Sequence, residues 1–512
     1  MLNRQTDLAW KYHDLTKHSY WSVRNSPHYL DWSNRPSPFK VYPDAETVPL
    51  PREMAPSEYP LLEAIASAGR EAAREVTPTL EQLASVLFYS AGVVRTKTFP
   101  AGTVYYRAAA CAGALYPIEL YVVCKDIDGL QAGVYHFSPG DFTLRRLREG
   151  DHRSTLIDAS GGEPRIHSAP VTIIFSAITW RSSWKYRDRA YRYHYWDTGT
   201  IVANAFAIAR GLDLPSSLVM GFVDHDINRL VGIDGERELA TALFTLGRDS
   251  QAPPPSPGLT ELKLETVPLS AEEVDYSSIR EMHSASSLVD KAEAESWRGG
   301  RFEQDPPPAA GGLFPLSEPG NDLLPGGSIE EVILRRASTR RFAQKPISFD
   351  DLSVILDRST RGFPSDFSGD SRAQLNDIYL IVNRVDGLEA GAYFFRRAEG
   401  ALESLKVGGF SDRAAHLTLN QALGGDSAVT LFFMSDLNRL LEAYGNRGYR
   451  AAQIESSVIG GRAYLASYAL KRGATGLTFY DDDVTEFFSP HAEGKSCIFV
   501  VAIGVPGKIP LY

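Results

Sequence analysis

Length alone suggests about three domains for a chain of 512 residues, fewer if the units are large. Apolar residues at 43% and charged residues at 23% match ordinary globular usage, so a sizeable core is expected. A net charge of -10 argues against nucleic acid or an anionic membrane as the main partner.

From the N-terminus, residues 1–55 form a segment rich in aromatics from Tyr12 to Tyr42, suited either to docking or to a belt over the core. The first residues contain no apolar signal-peptide core, and no apolar run reaches the roughly 20 residues that span a bilayer. Three cysteines, Cys111, Cys124 and Cys497, form no CxxC pair and no disulfide framework. The expected location is therefore cytoplasmic.

Residues 56–248 make a first unit. Glu119–Val123 and Val171–Ile178 are apolar and β-branched, as buried strands are. Thr198–Arg210 is apolar at helical spacing with Gly211 as its cap, and Ala242–Leu246 closes the unit as a strand. Residues 249–328 contain Pro253-Pro-Pro-Ser-Pro257 and a second proline run from Pro306, and read as a linker with Leu269–Ser278 ordered on the surface. Residues 329–512 repeat the first pattern, with a helix over Ser456–Arg472 before Gly473 and a closing strand Ile498–Ile503. Each unit is thus α+β.

The two units are copies. Gly129–Phe137 recurs as Gly387–Phe395, an offset of 258. The same offset carries Tyr121 onto Tyr379 and Val171-Thr172 onto Val429-Thr430. It also carries Tyr186, Arg189, Tyr191 and Arg192 onto Tyr444, Arg447, Tyr449 and Arg450. Four segments in one register mark a tandem duplication.

Three segments carry chemistry. Arg335-Arg-Ala-Ser-Thr-Arg-Arg-Phe342 is the most basic stretch, and guanidinium forks grip phosphate oxygens in pairs. Arg107-Ala-Ala-Ala-Cys-Ala-Gly-Ala-Leu-Tyr-Pro117 has side chains small enough for a flat ligand to approach the backbone. Lys185-Tyr186 lies in an aromatic, basic setting that lowers a lysine's pKa and makes it a base. Gly494-Lys-Ser496 lacks the upstream glycine of a P-loop. Asp224-His-Asp226 and Asp481-Asp-Asp483 read as turn or helix-start acids, so no metal site is expected. Absence of GxGxxG and GxSxG disfavours a dinucleotide fold and a serine hydrolase.

Arg335–Phe342 resembles the phosphate signature of nitroreductase-fold enzymes. Arg107–Pro117, Lys185–Tyr193 and the stretch from His28 to Pro43 resemble the SagB-type dehydrogenases, which include thiazoline and oxazoline oxidases of peptide natural-product pathways. The resemblance implies FMN bound at a dimer interface, here an internal pseudo-dimer within a monomer. It assigns Arg335, Arg336, Ser338, Arg340 and Lys495 to phosphate and ribityl, and Thr478 and Phe479 to the flavin ring. Cys111 (usually serine in the family), Ala112, Gly113 and Ala114 would lie on the ring's other side, with Lys185 and Tyr186 as the catalytic pair.

The copies depart from that pattern in complementary ways. Matching Leu83 and Leu87 to Leu352 and Leu356 puts Ala66, Ser67, Gly69 and Glu71 where the second copy has Arg335, Arg336, Ser338 and Arg340. The 258 offset puts Gly369, Asp370, Ser371 and Arg372 opposite Cys111–Ala114, and Ala443 opposite Lys185. One composite site and one dead site are expected.

The expected activity is oxidation of an azoline to an azole, with oxygen reoxidising FMN. The substrate would be peptide or carrier-bound, and a cyclodehydratase or peptide synthetase the partner. An NAD(P)H-dependent nitro or quinone reductase and a non-catalytic scaffold remain as alternatives.

Overall fold

The computed structural model describes residues 2–54, 56–67, 75–99, 102–302, 306–318, 326–367 and 374–508. Its core is two seven-stranded sheets of one topology. The first contains β1 (Glu46–Pro49), β2 (Ile118–Cys124), β3 (Gly133–Ser138), β4 (Thr143–Glu149), β5 (Val171–Ile178), β6 (Ser216–Val219) and β7 (Glu238–Leu246), in the order β1-β4-β3-β2-β5-β7-β6. The second contains β8 (Leu313–Pro315), β9 (Asp377–Val382), β10 (Gly391–Arg396), β11 (Ala401–Val407), β12 (Val429–Ser435), β13 (Gly473–Gly476) and β14 (Ser496–Gly504). Its order, β8-β11-β10-β9-β12-β14-β13, repeats the first strand for strand. All pairs within both sheets are antiparallel. The central strands β2, β5, β9 and β12 are buried along their whole length, which explains their continuous apolar sequence.

Each unit contributes one long buried helix, α1 (Ala190–Gly211) and α2 (Asn446–Ala469), and these pack against each other between the sheets. Both extend the helices expected from periodicity by about two to three turns toward the N-terminus. The basic-aromatic stretches there carry buried arginines that find partners only in tertiary structure. A Cβ on Gly199 would lie 1.9 Å from Ser457 Oγ, and one on Gly461 would lie 2.8 Å from Ala203 Cβ. Ser457 and Gly461 are the 258-offset equivalents of Gly199 and Ala203. Each residue thus meets its own copy, as on the axis of an isologous dimer. The internal pseudo-dimer is therefore present in one chain.

Two reciprocal ion-pair locks fasten it. Asp481 accepts from Arg189 Nη1 at 2.9 Å and Arg192 Nη1 at 2.7 Å. Asp224 accepts from Arg447 and Arg450, each at 2.6 Å. Burial would raise both carboxyl pKa values, but the paired guanidiniums hold both well below the usual range. Asp224 and Asp481 indeed start helices, Asp224–Val231 and Asp481–Phe488, but their carboxylates reach across to the opposite unit.

The stretch read as a linker is largely the second unit's own beginning. Ser277–Ala285 is a helix equivalent to Asp7–Leu15, at an offset of 270. His13 O and Thr16 Oγ1 accept from Arg192; His283 O and Ser286 Oγ accept from Arg450. His18 N–H donates to Asp481, and Leu288 N–H to Asp224. Even β8, in the proline-rich region, is the edge strand corresponding to β1. Periodicity missed this repetition because few side chains are shared; what the copies preserve is a set of backbone and hydroxyl groups that bond the locks.

Candidate active site between the two units

The helix Thr179–Tyr186 follows β5 and ends where Arg187 takes φ 51°. That end carries Lys185 and Tyr186. Tyr186 stacks on Tyr193 of α1, with ring centroids 4.0 Å apart and planes 10° from parallel. Facing them is the turn Ala112–Ala114, in which Gly113 has φ 64° and Ala114 φ 53°. A Cβ on Gly113 would lie 2.8 Å from the Tyr186 hydroxyl and 3.4 Å from Lys185 Nζ, so a side chain there would be strained and would crowd both groups. The small-residue loop and the Lys-Tyr pair, 70 residues apart in sequence, therefore form one surface.

Asp197 holds that loop, and the sequence reading missed it. Its carboxylate accepts from Ala112 N–H at 2.9 Å and from the Cys111 thiol at 3.2 Å. Cys111 Sγ in turn accepts from Tyr116 N–H at 3.1 Å, so cysteine keeps a bonded role where serine is usual. Burial raises Asp197 to a pKa of about 7, against the opposing pull of Ala112 N–H and the thiol. A lone acid inside an apolar helical run was the available signal.

The second unit approaches from the opposite side. Ser328 caps the helix Ile329–Arg335 with a full capping box, and the basic signature leaves its end. Arg340 is exposed, and with Arg35 it bears on Lys185, whose pKa is lowered first by burial and then by these two cations. Ser338 lies beside the Tyr464 phenol, which also accepts from Gly476 N–H. Phe479 is fully buried, 6.2 Å from Trp196 across the interface. Thr478 Oγ1 is buried beside the Tyr193 phenol of the first unit.

Three of the expected phosphate-binding residues are placed differently from expectation. Arg336 donates through Nε to Ala108 O at 3.0 Å and through Nη2 to Ala108 O at 2.9 Å and Arg107 O at 3.3 Å. It clamps the root of the first unit's loop to the second unit. Arg335 donates to Tyr468 O at 2.8 Å. Lys495 is ion-paired with Asp377 and lies 3.2 Å from Tyr379 Oη. It precedes β14, whereas the signature packs at the far end of that strand, where Phe342 bridges Pro506. Nine residues of strand, roughly 30 Å, separate the two ends. The basic residue placed beside the signature is Lys508, next to Gly507, whose N–H donates to Arg341 O at 2.8 Å.

The Nitroreductase family profile matches residues 62–248 and 333–505, both units and most of the chain. This chain belongs to the nitroreductase family. A crystal structure of an Anabaena variabilis protein, described as a nitroreductase, shares 27% identity at a TM-score of 0.76, covering 98% of this chain and 99% of that one. The trifolitoxin-processing protein TfxB of Rhizobium leguminosarum bv. trifolii is 30% identical over 33% of this chain. The microcin B17-processing protein McbC of Escherichia coli is 28% identical over 25%. The chain spans about half of those two relatives, 47% and 49%.

The pseudo-symmetric position is closed in this nitroreductase-family chain. Tyr444, the equivalent of Tyr186, donates to Phe367 O at 2.8 Å, and Trp297 donates to Tyr444 O at 3.0 Å. Trp297 is 1% exposed and packs 5.4 Å from the Tyr444 ring. A Cβ on Gly221, which matches Thr478 when Asp224 is set on Asp481, would meet Asp366, Arg298 and Trp297 within 3.0 Å. Gly369, Asp370, Ser371 and Arg372, together with Gly69 and Glu71 of the first copy, lie outside the described residues. No described helix is long and apolar enough to cross a membrane.

Proposed function

We propose that this protein is an FMN-dependent dehydrogenase of the SagB type that oxidises a peptide or carrier-bound azoline to an azole, with oxygen as the final acceptor. The observation that carries this reading is the convergence of Lys185 and Tyr186 on Gly113, with Arg340 of the other unit acting on both. TfxB and McbC are named for processing trifolitoxin and microcin B17, which supports a substrate that is processed by this reaction; a cyclodehydratase or peptide synthetase is the proposed partner.

The residues present fit a flavin. Gly113 offers a backbone cradle that a Cβ would fill. Arg340 and Ser338, with Lys508 nearby, would hold its phosphate and ribityl; Phe479 and Ala112–Ala114 would flank its ring. Bound there, FMN supplies the two-electron acceptor.

The chain's own groups handle the proton. Lys185 has no hydrogen bond or ion pair among the described residues, and burial, Arg340 and Arg35 favour its neutral form. It would take the proton from the carbon beside the azoline nitrogen. Tyr186, pushed well above its usual pKa by burial, stays a phenol and would orient the substrate as a donor. Asp197 fixes the loop beside both and keeps the surface in register.

The test is to mix flavin-loaded protein anaerobically with a synthetic thiazoline peptide. Flavin bleaching with one azole formed per flavin is expected. NADPH oxidation without peptide, and no azole, would replace this reading with a reductase.

A further inference from the structure

The first unit carries a feature without a counterpart among the described residues of the second. The helices Leu80–Ala91 and Phe349–Thr360, each of 12 residues, correspond at an offset of 269, while β2 and β9 correspond at 258. The first unit therefore has 11 more residues between helix and strand. The longer segment holds an antiparallel hairpin, Val93–Phe99 with Gly102–Arg107. The hairpin runs straight into the Arg107–Pro117 loop, so the extra ribbon belongs to the half that holds Lys185 and Tyr186.

Its strands pair only with each other among the described residues. Arg95 through Phe99 are all exposed, whereas Val104–Tyr106 are half-buried, with Tyr105 packed 4.8 Å from Phe39. The outer edge of Val93–Phe99 thus presents unpaired backbone groups to solvent, the template on which an extended chain adds as a strand. The charge of the edge is one-sided. The exposed strand Val93–Phe99 carries Arg95 and Lys97 and no acid, in a chain of net charge -10. Arg35 and Arg340 extend the same sign toward Lys185.

We propose that this hairpin is a docking ribbon for an extended, acidic segment of the substrate, bound by strand addition along Val93–Phe99 and delivered to Lys185. The inference rests on the dehydrogenase reading only in taking the substrate to be a peptide.

Binding can be read without turnover, by anisotropy of a fluorescein-labelled peptide of alternating Glu and Val added to the full chain. A dissociation constant weakened about ten-fold by R95E/K97E is expected, because two rim charges are reversed, and high salt should narrow the difference. The milder Lys97→Gln should fall between the two. Methylating alternate backbone nitrogens of the peptide should weaken binding by a similar factor, since strand addition needs those N–H groups. Equal affinity for wild type and R95E/K97E, or for the methylated and unmethylated peptides, would overturn the proposal. Azole formation by a protein indifferent to this peptide would leave the dehydrogenase standing and the ribbon without a role.

Discussion

The two pseudo-equivalent positions between the units differ in what a common scaffold was given to hold. On one side, Tyr186 faces a glycine cradle, a free lysine and an exposed arginine. On the other, Tyr444 is tied to Phe367 O, Ala443 replaces the lysine, and Trp297 fills the space. The helices that precede the two sheets seal the two locks alike, yet the chain after them diverges. After His18 it stays outside, with Trp21 66% and Tyr29 81% exposed; after Leu288 it turns inward and buries Trp297. Duplication kept symmetry in the parts that hold the units together and released the parts that line the candidate site.

The largest effects are expected where symmetry is retained. Asp481→Asn leaves Arg189 and Arg192 buried without a countercharge, and Asp224→Asn does the same to Arg447 and Arg450. Each should cost about 3–5 kcal/mol in urea unfolding. A loss from only one of them would break the equivalence of the locks.

Trp297→Ala should cost a similar amount, about 3–5 kcal/mol, by emptying a packed site. It should leave flavin stoichiometry at one per chain, because the closed position has no basic signature. Absorbance at the flavin band on size-exclusion-pure monomer measures this, and a second flavin would show that Trp297 alone closes the site.

Lys185→Ala should leave the protein yellow and slow anaerobic bleaching about a hundred-fold or more. Ala443→Lys in that background should restore nothing. Bleaching at the wild-type rate would remove the lysine from the reaction.

The smallest effect separates Asp197 from its surroundings. Its pKa is about 7 folded, against an ordinary value near 3.8. Between those values the folded state holds a proton that the unfolded state has lost, so the contribution of Asp197 to stability is full below about pH 4 and falls as pH rises toward 7. The slope is at most about 1.4 kcal/mol per pH unit. Asp197→Asn should flatten it in urea titrations across that range, whereas an unchanged slope would place the titrating group elsewhere.

Much of this was legible in the residues. Apolar β-branched runs marked β2 and β5, and the 258 offset paired the units, because burial on both faces and duplication both leave their trace in side chains. The loop and the Lys-Tyr pair were legible as segments. Their contact was not, since it depends on a positive φ at Gly113 and on where the helix Thr179–Tyr186 stops.

The sequence by itself determined the duplication, the α+β units and which half kept the lysine. Tertiary structure decided the rest. It spent Arg336 on carbonyls, tied Lys495 to Asp377, made Asp197 the anchor of the loop and turned the supposed linker into the start of the second unit. The physical reason is common to all four: a charged or backbone group declares its need for a partner in the sequence, but which partner lies within about 3 Å is settled only when distant segments pack.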